Sequence, residues 1–402
     1  MGSAGRGKVG ILTTNHYHPD GERQLYGGAE RYGLELTRLL LDLGYEVEWW
    51  QVGEGWVREI LPGVPIRSIR ENSFSYQTMP ALNQAFHARA NVDYALYFVA
   101  FLAYPEALPR SLAISHGIYW DYPGFDVTLA TDNDREEWRR RMLLALAGPR
   151  RIVSVDTATI QWVNSSWPGL GHKLVYIPNF VDLQAFGSQA GRAGQTAAEV
   201  PGEAAEGDEP APEPILGQPG GGRPVRVLFP RRMVQVRGLN EAARAAEVLT
   251  ARYENIEFHF VGRFHDEGLE KEFLRWAGSH RNIYYYWLPP HAMPRVYRAV
   301  DLVLIPSRST EGTSLSCLEG MAAGRSVIAT WVGGLTDLII DGFNGRLIPP
   351  DGQALVEAIE ELGKQPALRR QLGENARQVA RAFSLERWRQ RWSQVLEEVF
   401  TP

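Results

Sequence analysis

The run Leu302-Val-Leu-Ile305, Pro306-Ser-Arg-Ser-Thr310, Glu311-Gly-Thr-Ser-Leu-Ser-Cys-Leu-Glu319 reads as a strand, a turn and a helix in succession. Four aliphatic residues closed by Pro and Ser have strand length and no polar face. Beyond the turn, Leu315, Leu318 and Met321 repeat at helical spacing, which puts Gly312, Thr313 and Ser314 at the start of the helix. Such a start carries unpaired N–H groups and the positive end of the helix dipole, so it can hold an anion. Glu311 precedes the helix and Glu319 lies about two turns along it. The two carboxylates can therefore address different parts of one extended ligand whose anionic group lies between them. Taken alone, the same pair also fits a helix-start acid and a solvated face residue.

The alternation extends in both directions. Residues 225–229, 256–261, 282–287 and 326–330 have strand length, and 239–252 and 268–279 have helical spacing. In the first half, 9–15, 46–52, 94–98, 111–115, 151–155 and 173–177 read as strands. Residues 29–43 read as a helix on Tyr32, Leu36, Leu39, Leu40 and Leu43, with Gly44 placed to end it. Strands alternating with helices of this length imply parallel sheets covered on both faces, an α/β doubly wound fold. Such sheets bind ligands beyond the carboxyl ends of their strands, so the functional loops should follow strands.

The chain has 402 residues, 44% of them hydrophobic and 22% charged, enough for two or three folded domains. A single cysteine, Cys317, excludes a disulfide scaffold. A net charge of −5 argues against a nucleic-acid partner held by bulk electrostatics. The apolar run 9–12 is too short for a signal-peptide core, and no stretch reaches the ~20 apolar residues of a spanning helix. A cytoplasmic protein is expected. Residues 187–223 hold nine Gly, five Pro and six acidic side chains against two basic ones. That composition cannot bury enough apolar surface to offset ordering and reads as a disordered linker. It would separate domains at 8–186 and 224–384.

Further candidates follow strands. In Arg231-Arg232-Met-Val-Gln-Val-Arg237-Gly238, guanidiniums six residues apart around a loop suit a diphosphate. In Tyr26-Gly27-Gly28-Ala29-Glu30 the two glycines let the backbone approach a ligand at a helix N-terminus. Neither half carries Gly-x-Gly-x-x-Gly after its first strand, which argues against a dinucleotide dehydrogenase. His116, at the end of 111–115, can donate to a hydroxyl or take part in proton transfer. The histidines show no metal-ligand spacing. Asp132-Asn133-Asp134 spells a metal-binding Asp-x-Asp, but ahead of a helix from Arg135 it is better read as a helix cap. The helix 135–146, with Arg139, Arg140 and Arg141, presents a basic face suited to water or to an anionic membrane. Cys317 reads as a small buried hydrophobe.

The stretch from Glu311 to Gly324, continuing to Val332-Gly-Gly-Leu335 and Gly342-Phe-Asn-Gly345, resembles the donor-site signature of the retaining glycosyltransferases of family 4, which have the GT-B fold. The resemblance implies that Glu311 contacts the hydroxyls of the donor sugar and Glu319 the ribose of the nucleotide. The amides around Gly312, Thr313 and Ser314 would hold the diphosphate. The arginine loop is similar to the family's Gly-Arg-Leu-Val…Lys-Gly element. Arg232 matches its Arg and Arg237 replaces its Lys, both serving the leaving diphosphate, while Arg231 stands where Gly is usual. Gly27 and Gly28 match a Gly-Gly loop that closes over the donor phosphate and borders the acceptor, and His116 matches a His near the reacting sugar. Ile177-Pro-Asn-Phe-Val-Asp182 resembles the segment that closes the first domain, with Phe180 in place of Gly. Ser384-Leu385 opens a last helix, 385–402, which in this fold packs back on the N-terminal domain.

The resemblance implies two Rossmann-like domains facing across a cleft, the N-terminal one for the acceptor and the C-terminal one for a nucleotide-diphosphate sugar. The expected activity is retaining transfer of a hexose to a glycan, lipid-linked or small-molecule acceptor, as in cell-envelope or polysaccharide biosynthesis. His116 and Glu311 would be the catalytic residues, with no metal and no other cofactor. A weak peripheral contact with the inner face of the membrane is compatible with the basic helix. A nucleotide-sugar 2-epimerase shares the fold, but the order and spacing of these motifs fit transferases better. Intact Glu311, Glu319, Arg232 and His116 argue against a catalytically inactive nucleotide-sugar-binding subunit.

Overall fold

The computed structural model describes residues 6–25, 27–70, 78–118, 131–187, 224–264 and 266–400; all but the first residue of the expected linker at 187–223 lies outside them. The chain forms two compact units. One runs to Pro178 and resumes at Trp388, and the other lies between Asn179 and Arg387.

The first unit is built on β1 (Lys8–Leu12), β2 (Glu46–Gly53), β3 (Val57–Leu61), β4 (Val64–Arg70), β5 (Tyr94–Tyr97), β6 (Ser111–Ser115), β7 (Arg151–Ser154) and β8 (Leu174–Tyr176). Their order in the sheet is β3-β4-β2-β1-β5-β6-β7-β8. All pairs are parallel except β3 with β4. The second unit carries β9 (Val225–Phe229), β10 (Ile256–Val261), β11 (Ile283–Tyr286), β12 (Leu302–Ile305), β13 (Ser326–Thr330) and β14 (Arg346–Ile348). Its order, β11-β10-β9-β12-β13-β14, is wholly parallel. In that order the winding reverses between β9 and β12, and in each unit the first strand and the one beside it across the reversal leave a crevice at their carboxyl ends. Both units are Rossmann-like α/β folds.

Burial explains why these runs are strands. Leu302 through Ile305 are all buried, as are Val227, Leu228 and Phe229, so each strand is covered on both faces. The helices Leu239–Arg252 and Gly352–Lys364 pack one face of the second sheet through Leu249, Leu355, Ile359 and Leu362.

The units of the structure divide the chain at residues other than the expected domain limits. The first compact unit ends at Pro178, before the expected domain limit at 186. Val181 and Phe186 are buried with Tyr297, Leu318, Met321 and Ala322 of the second unit, because the short helix Leu183–Gly187 supplies part of that core. The last helix is Leu385–Phe400, and from Trp388 onward it belongs to the first unit. Ser384, at its start, accepts from the Arg387 N–H at 3.3 Å and pairs with Val181. Trp392 is fully buried and donates to the Tyr32 hydroxyl at 2.8 Å, and Phe400 stacks on Tyr94. No helix among the described residues is long and apolar enough to cross a membrane.

Candidate functional site

In the second unit the winding reverses between β9 and β12, and the loops that leave these two strands carry the charged side chains. Arg231 follows β9, and Ser307 and Glu311 follow β12. The loops are tied to each other and to the next helix. The Arg308 N–H donates to the Val236 carbonyl at 3.1 Å, the Ser316 hydroxyl to the Pro230 carbonyl at 2.9 Å, and the Thr330 hydroxyl to the Ser307 carbonyl at 2.5 Å.

Glu311 is only 8% exposed. Its Oε2 accepts from Arg231 Nη2 at 2.6 Å, from the Ser307 hydroxyl at 2.6 Å and from Arg237 Nη1. Arg231 is also buried and spends its other terminal nitrogen on Ser307 Oγ at 2.8 Å. Burial by itself would raise the Glu311 pKa, but Arg231 and Arg237 outweigh it and hold the carboxyl at about 2. Burial lowers the Arg231 pKa, and Glu311 opposes that shift. The group is thus a carboxylate at any working pH. Two glycines make room for it. Gly333, at φ +50°, lies so close that a Cβ would come within 2.1 Å of the Glu311 carbonyl, which accepts from the Gly334 N–H at 2.8 Å. A Cβ on Gly262 would come within 1.9 Å of the Arg231 carbonyl.

The helix that follows is Leu315–Ala322. Ser314 caps it by accepting from the Cys317 N–H at 3.4 Å, and Leu315, Leu318 and Met321 are buried as their spacing requires. Thr313 is held from behind: the Asn179 N–H donates to its hydroxyl at 2.7 Å and the Asn179 side-chain amide to its carbonyl. Glu319 is buried on this helix and accepts from the Tyr297 hydroxyl at 2.8 Å. Cys317 is fully buried, and burial pushes its thiol pKa up, so it is no nucleophile.

The arginine loop differs from expectation in its detail. Arg237 reaches Glu311 and the Thr310 carbonyl, whereas Arg232 is exposed and it is Arg231 that turns inward. Nothing in the sequence pairs Arg231 with a carboxylate 80 residues away; the signal that could have prompted the search was Gly262, small where two strand ends converge. Ser307, Tyr297 and Asn179 were likewise missed, because polar residues of these types are equally common in ordinary turns and helices.

In the first unit, Gly27 precedes the helix Gly28–Asp42, whose N-terminus has no side-chain cap; Tyr26 lies outside the described residues. His116 follows β6 and packs between Tyr32, at 5.3 Å, and Phe98, at 5.0 Å. Its Nε2 lies 3.0 Å from the Phe98 carbonyl, which can only accept, so Nε2 carries the proton. Burial lowers the His116 pKa to about 4. The ring is therefore neutral near pH 7 and offers Nδ1 as an acceptor. Its expected donor role is taken up by the backbone. His16, buried after β1, has its pKa lowered to about 4 in the same way. Asp134 closes a capping box with Thr131 at the start of Asp132–Ala147, three residues before the expected start. Among the described residues no group of three or more His, Cys, Asp and Glu side chains could hold a metal.

Two family models match this chain, one to each half: Glycosyltransferase Family 4 over residues 26–185 and Glycosyl transferases group 1 over 220–379. The chain belongs to glycosyltransferase family 4. The second match contains the Arg231–Glu311 cluster and Glu319, and the first contains Gly27, Gly28 and His116. A D-inositol 3-phosphate glycosyltransferase of Arthrobacter sp. (strain FB24) is 31% identical over 182 residues, 43% of this family 4 chain and 42% of that protein. The lipopolysaccharide core biosynthesis mannosyltransferase LpcC of Rhizobium leguminosarum bv. viciae is 42% identical over 93 residues, 23% of this chain and 26% of that protein. The matches thus span less than half the length of these curated relatives. Among solved structures, sucrose-phosphate synthase from Thermosynechococcus elongatus matches with a TM-score of 0.72 at 17% identity, over 98% of this chain and 99% of that one. Anabaena HepE in complex with UDP-glucose matches with a TM-score of 0.68 at 15% identity, over 98% and 100%. At such identities the likeness is one of fold, and the fold is GT-B.

Proposed function

We propose that the chain is a retaining glycosyltransferase that moves a sugar from a nucleotide-diphosphate sugar to a sugar-containing or lipid-linked acceptor. The observation that carries this reading is the pair Glu311 and Glu319, both buried, on either side of the start of Leu315–Ala322. Glu311 then faces the donor sugar, the amides near Thr313 and Ser314 meet the diphosphate, and Glu319 takes the ribose. Arg263, 3.8 Å over the Trp287 ring at the carboxyl ends of β10 and β11, adds a flat surface suited to a nucleobase. The relatives named for inositol phosphate and lipopolysaccharide core transfer support a polar, sugar-like acceptor.

The reaction is substitution at the anomeric carbon through an oxocarbenium-like state. Its main demand is stabilisation of the charge that builds on the departing diphosphate. Arg232, Arg237 and the helix start would meet that demand without a metal. The leaving phosphate would assist attack on the same face, which retains configuration. His116, with Nδ1 as an acceptor, would hold a hydroxyl near the reacting sugar. A thermal-shift screen of UDP, GDP, ADP and their sugars identifies the donor, because ligand binding raises the unfolding temperature. Donor hydrolysis by wild type, Glu311→Ala and Arg232→Ala, each with and without EDTA, then tests the chemistry. Equal background turnover in all three proteins would sink the reading, and loss of turnover with EDTA would remove metal independence from it.

A further inference from the structure

The Glu311 carboxylate is shared unequally. Oε2 accepts from Arg231, Arg237 and Ser307, whereas Oε1 accepts from no described residue. Its two arginines are unequal as well. The Arg231 side chain is 6% exposed and is fixed by Ser307, while that of Arg237 is 22% exposed and, among the described residues, otherwise holds only the Thr310 carbonyl. If Arg237 serves the donor diphosphate, it has to leave Glu311 when the donor arrives. A buried carboxylate that loses its countercharge takes up a proton or moves.

We propose that Arg231 is a positioning residue, a permanent countercharge that keeps Glu311 ionised and in place while Arg237 exchanges between Glu311 and the donor diphosphate. This rests on the donor-site reading of Glu311 and Arg237 given above. Oε2 is then the tethered oxygen and Oε1 the one left for a donor hydroxyl. Arg231 touches no substrate; it acts through Glu311. Among the described residues, the titratable and charged groups that face Glu311 are Arg231 from the loop after β9, Arg237 from its short helical turn and Cys317 from the following helix. Burial keeps the Cys317 thiol protonated, so the two arginines decide the carboxyl's charge.

The test uses the whole chain and UDP-glucose, or whichever UDP, GDP or ADP sugar the thermal screen selects. The pH profiles of kcat and kcat/KM for donor turnover are recorded for wild type, Arg231→Gln, Arg231→Lys and Arg237→Met. Arg231→Gln should raise the acid limb of kcat by about one to three pH units, the span by which one adjacent arginine moves a carboxylate. Its kcat/KM limb, which reports the free enzyme, should move less, because Arg237 still covers Glu311 there. Arg231→Lys should restore most of the limb. Arg237→Met should raise KM about tenfold or more, the loss of one charge-assisted phosphate contact, and leave the acid limb of kcat where it is in wild type. An unmoved kcat limb in Arg231→Gln, or an equal shift in Arg237→Met, overturns the proposal. Should Arg231→Gln fail to fold, calorimetry of wild type with the intact sugar nucleotide near pH 5, in buffers of different ionisation heat, decides the matter. Binding without proton uptake supports a permanent countercharge, and uptake of a proton overturns it. Full turnover by Glu311→Gln would instead sink the donor-site reading, a separate outcome.

Discussion

Both units place their candidate residues at the carboxyl ends of strands and set them in different chemical surroundings. In the first, His116 and His16 are neutral rings among Tyr32, Phe98 and Trp49, and beside the glycine loop the acid Glu30 is buried in the first turn of its helix. In the second, a carboxylate is buried under two guanidiniums and a hydroxyl. The histidines of the first sit among neutral rings, whereas the second packs opposite charges together. The lesson is that a shared fold fixes where a site lies, while the side chains on its loops set the electrostatics.

The largest expected effect comes from removing the central charge. Glu311→Gln should lower donor turnover by roughly 10²–10³-fold, the scale of losing one preorganised transition-state contact. It should also destabilise the second unit by about 3–5 kcal/mol, since Arg231 stays buried without its partner. Steady-state kinetics and denaturant unfolding check both.

Acid should separate the two units. His16 and His116 have folded pKa values near 4, below the ordinary 6.5, so the unfolded chain takes up protons first. Their contribution is complete above pH 6.5 and is lost as the pH falls towards 4, up to about 3 kcal/mol each. Glu311, at about 2 against 4.5, keeps its contribution above pH 4.5 and loses it between 4.5 and 2. Hydrogen exchange at pH 7 and pH 4.5 should show the first unit opening while the second stays protected. Equal loss in both would break the contrast.

Gly333→Ala should cost about 2–3 kcal/mol, because its Cβ meets the Glu311 carbonyl and its φ is left-handed. Its effect on turnover should exceed that of Gly44→Ala, where φ is also left-handed (+87°) but no described atom lies within 4 Å of the added carbon. The smallest effect is local to the first unit. Thr131→Ala, which removes the side-chain half of the capping box, should cost about 1 kcal/mol and leave the kinetics unchanged.

The parallel strands of the second unit were legible because continuous aliphatic runs such as Leu302–Ile305 have only one way to be buried on both sides. The antiparallel strand β3 and its partner β4 were not expected. Arg58, Arg67 and Arg70 interrupt their apolar residues, and β3 is half exposed at the sheet edge, so neither periodicity shows. The helices Met79–Arg89, Met293–Ala299 and Pro366–Ala380 were also absent from the expectation. In the first, buried Leu82, Asn83 and Phe86 mix polar and apolar residues on one face. At the site, Glu311, Glu319 and the helix start were readable because they lie within nine consecutive residues. Arg231, Ser307 and Asn179 acquire their roles only when separate strand ends meet, information that resides in topology and not in spacing.

The last helix has a consequence for the order in which the molecule is made. Tyr32, Tyr45 and Tyr94 belong to the first unit, yet Trp392 and Phe400, which cover them, are translated after the whole of the second. On the ribosome the second unit can close while the first still waits with an aromatic face uncovered. The half of the protein that is synthesised first is completed last, and a ribosome that stops short of residue 388 leaves it unfinished.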